Sequence, residues 1–315
     1  MKILITGING FAGSHLLDYI ISNQDAEVHG IIQQKNDTQN IKPHLKRLKL
    51  HTADISRSKD VARVIAKVKP DRLFHLAAQA HTQSSNKKAA ESFSVNVLGS
   101  VNILEAVRSS SAKSRVLIVS SGYIYGGRKN EIDLPDENSA FHPSDPYSAS
   151  KASIDHIAQT YKTFYGLNVA IVRPFNHTGP RQSPAFVCSA IAEQFADIKK
   201  NKSKKLRLGN LEPRRDFSDV RDVVRAYWMV CNEPKEEFIF NISSGSIYSV
   251  RDVVGMLEEI SGMHPEVVTD SSKLRKSDFD LLAGKSDRLR KTFGWKPEIP
   301  FRQTLTDLYQ YHLNS

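Results

Sequence analysis

The stretch that most limits what this chain can become stands at its start. Lys2 to Thr6 (Lys-Ile-Leu-Ile-Thr) reads as a buried parallel strand, Gly7-Ile-Asn-Gly10-Phe-Ala-Gly13 follows directly, and a helix with the apolar stripe Leu16, Leu17, Ile20, Ile21 comes next. Glycines at a strand-to-helix turn leave backbone amides and a helix N-terminus bare, which suits a pyrophosphate. The spacing is Gly-x-x-Gly-x-x-Gly, not the Gly-x-Gly-x-x-Gly of the commonest dinucleotide fingerprint. A glycine turn of purely structural use is the bland alternative. The functional reading makes Gly7, Gly10, Phe11, Ala12 and Gly13 cofactor-binding.

The rhythm then repeats. Glu27–Ile32 and Leu48–Thr52 read as strands, Ser58–Val68 as an amphipathic helix, residues 72–78 as a fourth strand, Phe93–Val107 as a helix, and Arg115–Val119 as a fifth strand. Asn168–Arg173 returns as a sixth. Right-handed crossovers turn this alternation into a doubly wound parallel sheet, whose ligands lie at the carboxyl ends of the strands. His75 reads as packing in or beside the sheet.

Two places on this frame carry chemistry. After the second strand runs Gln33-Gln34-Lys35-Asn36-Asp37, with no acid at the immediate strand end. A carboxylate there binds the adenosine ribose hydroxyls of NAD, whereas amides and Lys35 leave room for, and attract, the extra phosphate of NADP. NADP(H) is favoured, and NAD(H) stays open because Asp37 can curl back. Farther on, Pro146-Tyr-Ser-Ala-Ser-Lys151 sets Tyr147 and Lys151 four residues apart at the start of a helical pattern, on one face. An ammonium beside a phenol favours the phenolate, so the spacing predicts a lowered tyrosine pKa and proton transfer to or from a substrate oxygen. Ser120 and Ser121, at the end of the fifth strand, place a hydroxyl at the same crevice.

Composition narrows the class. The 315 residues are 40% hydrophobic and 25% charged, ordinary for a soluble enzyme able to bury a large core. No apolar run approaches the roughly 18 residues of a membrane span, and residues 1–7 are too short for a signal-peptide core, so a cytoplasmic protein without a membrane partner is expected. Cys188 and Cys231 stand alone, without metal-ligand spacing, so neither a disulfide framework nor a metal site is expected. The net charge of +10 favours polyanionic partners, including phosphorylated small molecules. The basic run at residues 199–205 has no interleaved aromatics for base stacking; it reads as a solvated loop, and no nucleic-acid partner is expected.

These residues together resemble an extended short-chain dehydrogenase/reductase acting on nucleotide sugars. The glycine turn, Asp54-Ile55, His75-Leu-Ala-Ala78, Asn96-Val-Leu-Gly99, Ser120-Ser121 with Tyr125-Gly126, Tyr147 with Lys151, and Arg173-Pro-Phe-Asn176 with Gly179-Pro180 occur in the family's order. Residues 173–183, 209–222 and 240–245 are most similar to GDP-4-keto-6-deoxy-mannose reductases and GDP-mannose 4,6-dehydratases, and Trp295-Lys-Pro297 resembles the family's closing signature. The resemblance implies a Rossmann domain over residues 1–182 and a smaller α/β substrate-binding annex over 183–315, with about 216–246 rejoining the first domain. It adds Asp54, Ile55, Leu76, Ala77, Ala78 and Asn96 to the cofactor-binding set, where Tyr147 and Lys151 also belong. It implies Ser121, Tyr147 and Lys151 as catalytic, and Ser121, Tyr147, Asn176, Arg181, Arg215 and Arg275 as substrate-binding.

One departure is informative. The dehydratases carry a glutamate two residues before the tyrosine of the Tyr-Gly pair, often with an aspartate before it; here Gly122 and Tyr123 stand there. Water elimination lacks its acid/base, which leaves simple reduction of a 4-keto-6-deoxy nucleotide sugar, a GDP-sugar favoured. Some of the reductases also carry that glutamate. The alternatives are a C4 epimerase with retained NAD, and a non-catalytic dinucleotide sensor or nucleic-acid-binding relative. The resemblance also implies a homodimer through the helices at Phe93–Val107 and Tyr147–Tyr165.

Overall fold

In a computed structural model, which describes residues 1–34, 37–80, 88–111, 113–273 and 279–315, the chain alternates strand and helix for its first 170 residues. In order come β1 (Lys2–Thr6), α1 (Phe11–Asn23), β2 (Glu27–Ile32), β3 (Leu48–Thr52), α2 (Ser58–Val68) and β4 (Arg72–His75). Next is α3, which runs from Ala89–Phe93 through a π-helical turn, Ser94–Leu98, into Gly99–Ser110. Then come β5 (Arg115–Val119), α4 (Pro146–Tyr165), β6 (Val169–Pro174), β7 (Asn176–Thr178), α5 (Val187–Lys199), β8 (Lys205–Leu208) and β9 (Arg214–Asp219). The chain closes with α6 (Val220–Asn232), β10 (Ile239–Ile242), β11 (Ile247–Ser249), α7 (Val250–Ser261), β12 (Glu266–Thr269), β13 (Leu281–Leu282), α8 (Asp287–Phe293) and α9 (Phe301–Leu313).

Among the described residues, β10-β6-β5-β4-β1-β2-β3 form a seven-stranded sheet whose pairings are all parallel. Side chains alternate faces along a strand, and here both faces are apolar, as a sheet covered on both sides requires. Ile3, Ile5, Phe74, Leu117 and Val172 pack with Leu16 and Leu17 of α1 and with α6. Their neighbours Leu4, Leu73, Val116, Ile118 and Ile171 pack with α2, α3 and α4. The strand order reverses between β1 and β4, which opens a crevice at the carboxyl ends of the two strands.

The later segments divide their loyalties. β10 extends the large sheet beside β6, and α6 packs against α1. α5, α7 and α9 instead build a separate core around Phe195, Leu257 and Leu308, beside a sheet in which β7, β11 and β13 all join β9. The fourth strand stops at His75, so Leu76 to Ala78 leave the sheet and face the crevice. His75 is buried between Thr6 and Ser100, its ring nitrogens 2.8 and 2.9 Å from their hydroxyls. In the basic run, Lys202 pairs with Asp197 and Lys205 with Glu266.

One buried ion pair ties α4 to the sheet. Arg173 of β6 grips both carboxylate oxygens of Asp155, with Nε and Nη2 each 2.8 Å away, and the side chains are 2% and 0% exposed. Its remaining donor reaches the Tyr125 hydroxyl and the Glu137 carbonyl, while the rings of Tyr125 and Phe141 lie against the guanidinium. Removing one partner leaves the other charge buried and unpaired. Arg173→Met is expected to cost ~3–5 kcal/mol in urea unfolding, and adding Asp155→Leu to recover most of that loss.

Candidate active site

The glycine turn is built for close backbone approach. Gly7 has a φ of +68°, open to few L side chains, and a Cβ on Gly13 would stand 2.1 Å from the Gly7 carbonyl oxygen. Helix α1 therefore starts tight against β1, and no side chain caps it at Gly10, so its first-turn amides are left for an anion. These residues open a cavity of about 1130 Å³ that extends along the strand ends to Ser121, Tyr147 and Lys151. A single small-ligand site holds roughly 300–1,000 Å³, so there is room for more than one small ligand. Gly7, Gly10, Phe11, Ala12, Gly13, Asp54, Ile55, Leu76, Ala77 and Ala78 all line it. A dinucleotide with its pyrophosphate on the α1 amides fits these residues.

Other expected positions fall differently. Asn96, in the π-turn of α3, is buried behind the cavity wall. Its Oδ1 accepts the Gln79 amide at 2.8 Å and its Nδ2 donates to Ser150 Oγ at 2.9 Å, so it braces the wall and does not face the cavity. Asp37 does curl back: Asn9 Nδ2 donates to its carboxylate at 2.7 Å and to its carbonyl at 3.0 Å, and it lines the cavity with Gln33. Lys35 and Arg275 lie outside the described residues.

The reacting end is assembled by β5 and α4. Ser121 follows β5, and its Oγ accepts the Tyr123 amide at 3.2 Å, which leaves the hydroxyl proton free to donate. Asp145 caps α4 and forms a reciprocal pair with Ser148, with Pro146 in the first turn, which sets Tyr147 at the helix entrance. Lys151, one turn on, donates from Nζ to the Val119 carbonyl at 2.8 Å. Tyr147 and Lys151 are both buried.

The electrostatics correct the expectation of a lowered phenol. Burial pushes Tyr147 up to about 12, against the pull of its hydrogen-bond partner Ser121, and burial pulls Lys151 down to about 8. Loss of solvation dominates at the phenol, and Lys151 spends its bond on Val119. A phenol held so firmly protonated is suited to donating to a strongly basic alkoxide.

Tyr123 occupies the side of the cavity nearest Ser121. Its ring meets Tyr147 edge-on at 6.0 Å and 81°, and lies 6.1 Å from Phe279. Gly122 allows the tight turn, since a Cβ there would stand 2.6 Å from Phe175. The carboxylates lining the cavity are engaged: Asp37 by Asn9, Asp54 by Ser56, Glu91 by Lys88 and Gln79.

Three of the positions expected to bind substrate also meet the cavity. Asn176 lines it and has a buried Oδ1 without a hydrogen-bond partner, an acceptor available to a ligand donor. Arg215 lines it and donates to the Phe279 carbonyl at 2.8 Å. Arg181 lines it too, but its guanidinium is committed to α1: it pairs with Asp18, meets His15 Nδ1 at 2.8 Å and donates to the Asn40 carbonyl. Burial and that guanidinium hold His15 down to about 4. Sequence reading passed over Asn9, His177, Tyr227 and Lys273, which also line the cavity. Asn9 lay inside the glycine motif; Tyr227 looked like one more apolar-face residue of an amphipathic helix.

Lys151 makes the site costly. Between pH about 8 and 10.5 the unfolded chain binds more protons at this lysine than the folded one. Its destabilisation, on the order of 3 kcal/mol, is full below about pH 8 and fades as pH rises toward the unfolded value. Loss of the Val119 bond offsets ~1 kcal/mol, so Lys151→Met is expected to stabilise the chain by ~1–2 kcal/mol at neutral pH and to lose that gain in alkali, read by thermal melting.

Comparison with known proteins follows the same lines. The family model for GDP-mannose 4,6 dehydratase matches residues 4–308. The chain is 30% identical over 306 residues to the GDP-6-deoxy-D-mannose reductase of Pseudomonas aeruginosa, covering 96% of this chain and 94% of that one. Among solved structures, RMD from Pseudomonas aeruginosa complexed with NADPH superposes with a TM-score of 0.86 at 28% identity, covering 99% of each chain. The Thermus thermophilus UDP-glucose 4-epimerase complex with NAD also has a TM-score of 0.86, at 27% identity and 99% of each chain. Matched by that family model and by a relative of 30% identity along nearly its whole length, the chain belongs to the GDP-mannose 4,6 dehydratase family of extended short-chain dehydrogenase/reductases.

Proposed function

We propose that the protein reduces the C4 keto group of a nucleotide-linked 4-keto-6-deoxy sugar, with GDP-4-keto-6-deoxy-mannose the favoured substrate. The observation that carries this reading is the convergence of Ser121, Tyr147 and Lys151 on one cavity with the glycine turn, with the Tyr123 ring in place of a carboxylate. A nicotinamide dinucleotide held by Gly7 to Gly13 supplies the hydride when bound. Tyr147 gives its phenolic proton to the oxygen developing at C4. Ser121 donates a hydrogen bond to that same oxygen and aims the carbonyl. Lys151 contributes the positive charge that steadies the resulting phenolate. Asn176, Arg215 and Arg181 line the substrate side, where Arg181 is already paired with Asp18.

A second reading is C4 epimerisation with a retained NAD. Asp37 favours it, since a carboxylate held by Asn9 near the end of β2 suits free ribose hydroxyls better than a phosphate. The same contact weighs for NADH within the first reading, against the lean toward NADPH from Gln33 to Lys35. A panel of 4-keto sugar nucleotides with each reduced coenzyme separates the readings: stoichiometric coenzyme loss with a reduced sugar seen by NMR supports reduction, and tightly held NAD with no consumption supports epimerisation.

Tyr147→Phe is expected to retain coenzyme binding and to lose at least ~10²-fold in kcat; turnover at the wild-type rate would remove Tyr147 from the mechanism. A homodimer through α3 and α4 belongs to the same proposal. Phe93, Leu98, Phe164 and Tyr165 on these helices are exposed. Leu98→Glu is expected to shift the protein to monomer in size-exclusion chromatography with light scattering.

A further inference from the structure

The cavity between the glycine turn and Tyr147 has an apolar floor with one unspent polar group. Phe11, Ala12, Leu76 and Val119 pack on the buried cluster that contains Tyr227 of α6, and all five line the cavity. Tyr227 is 1% exposed, and its hydroxyl has no hydrogen-bond partner among the described residues. A tyrosine hydroxyl that lines a cavity and is engaged by no protein group is a donor open to whatever fills that cavity.

The helix that carries it is held in place by the next residue. Trp228 stacks on Phe74 of β4 at 6.2 Å and 11°, and packs against Tyr19 of α1 at 6.2 Å, so α6 is pinned to the glycine-turn helix and the sheet. Burial raises the Tyr227 phenol far above its ordinary range, with Tyr147 pushing the same way, so the hydroxyl is a neutral donor. An acceptor that enters the cavity can take its hydrogen bond in place of water. A nicotinamide dinucleotide offers oxygens at its pyrophosphate, its ribose and its carboxamide.

We propose that Tyr227 is a coenzyme-binding residue whose hydroxyl donates a hydrogen bond to an oxygen of the dinucleotide lying between the glycine turn and Tyr147. The assignment rests on the coenzyme reading of the cavity, not on the sugar or the reaction.

The test measures binding of NADPH and of NADH to the full-length protein by reduced-nicotinamide fluorescence, without any sugar, for wild type and Tyr227→Phe. Loss of one neutral hydrogen bond predicts a Kd about five-fold higher in the variant. The melting temperature of the coenzyme-free variant is expected to match the wild type, because no bond within the protein is lost. Equal affinity in the two proteins overturns the assignment and leaves the coenzyme reading standing. A lowered melting temperature with unchanged affinity also overturns it, by making Tyr227 a packing residue. If the wild type binds neither coenzyme, the reading of the cavity falls and the assignment falls with it.

Discussion

Everything at the reacting end depends on how α4 is docked against the ends of β5 and β6. Ser121 belongs to one element and Tyr147 and Lys151 to another, so their meeting is only as good as that contact. Three polar links hold it, two at Lys151 and one a turn deeper. Lys151 bonds the Val119 carbonyl, Ser120 Oγ donates to the Lys151 carbonyl at 3.3 Å, and Arg173 clasps Asp155 one turn deeper. Tyr147, Lys151 and Asp155 lie at four-residue intervals on one face, so the same helical stripe carries the chemistry at its mouth and the anchor at its root. Buried ionic links of this kind contribute less to net stability than to holding a single geometry.

That docking also explains why proximity in the helix does not translate into a depressed phenol. Tyr147 and Lys151 are both buried, so each is pushed toward its neutral form, the phenol upward and the amine downward. The site is uncomfortable for charge until something polar fills the cavity. A reduction asks for that poise at its start, because the proton must stay on the phenol until an alkoxide forms.

The fold was legible in the sequence because both faces of the sheet are buried, which writes strands as apolar runs and helices as stripes. Leu4 beside Ile3 and Ile5 is enough to show a two-sided strand. The glycine turn and the Tyr147–Lys151 spacing were legible for the same reason, being local. Less visible were contacts between segments distant in sequence. Nothing local shows Arg181 reaching back to Asp18, Asp37 being held by Asn9, or Asn96 bracing Gln79 from a π-helical turn. Short strands such as β7, β11 and β13 also escaped, since two or three residues carry no period, and β9 supplies the pairing that makes them strands.

The crowding at Gly13 reaches beyond the turn itself. With the Gly7 carbonyl only 2.1 Å from where a side chain would begin, even alanine there would force α1 away from β1. Position 13 is thus closed to any side chain by sterics alone, whatever ligand the protein serves. The Asp37 contact is of another kind, for Asn9 holds it through a side-chain amide that reaches both its carboxylate and its carbonyl.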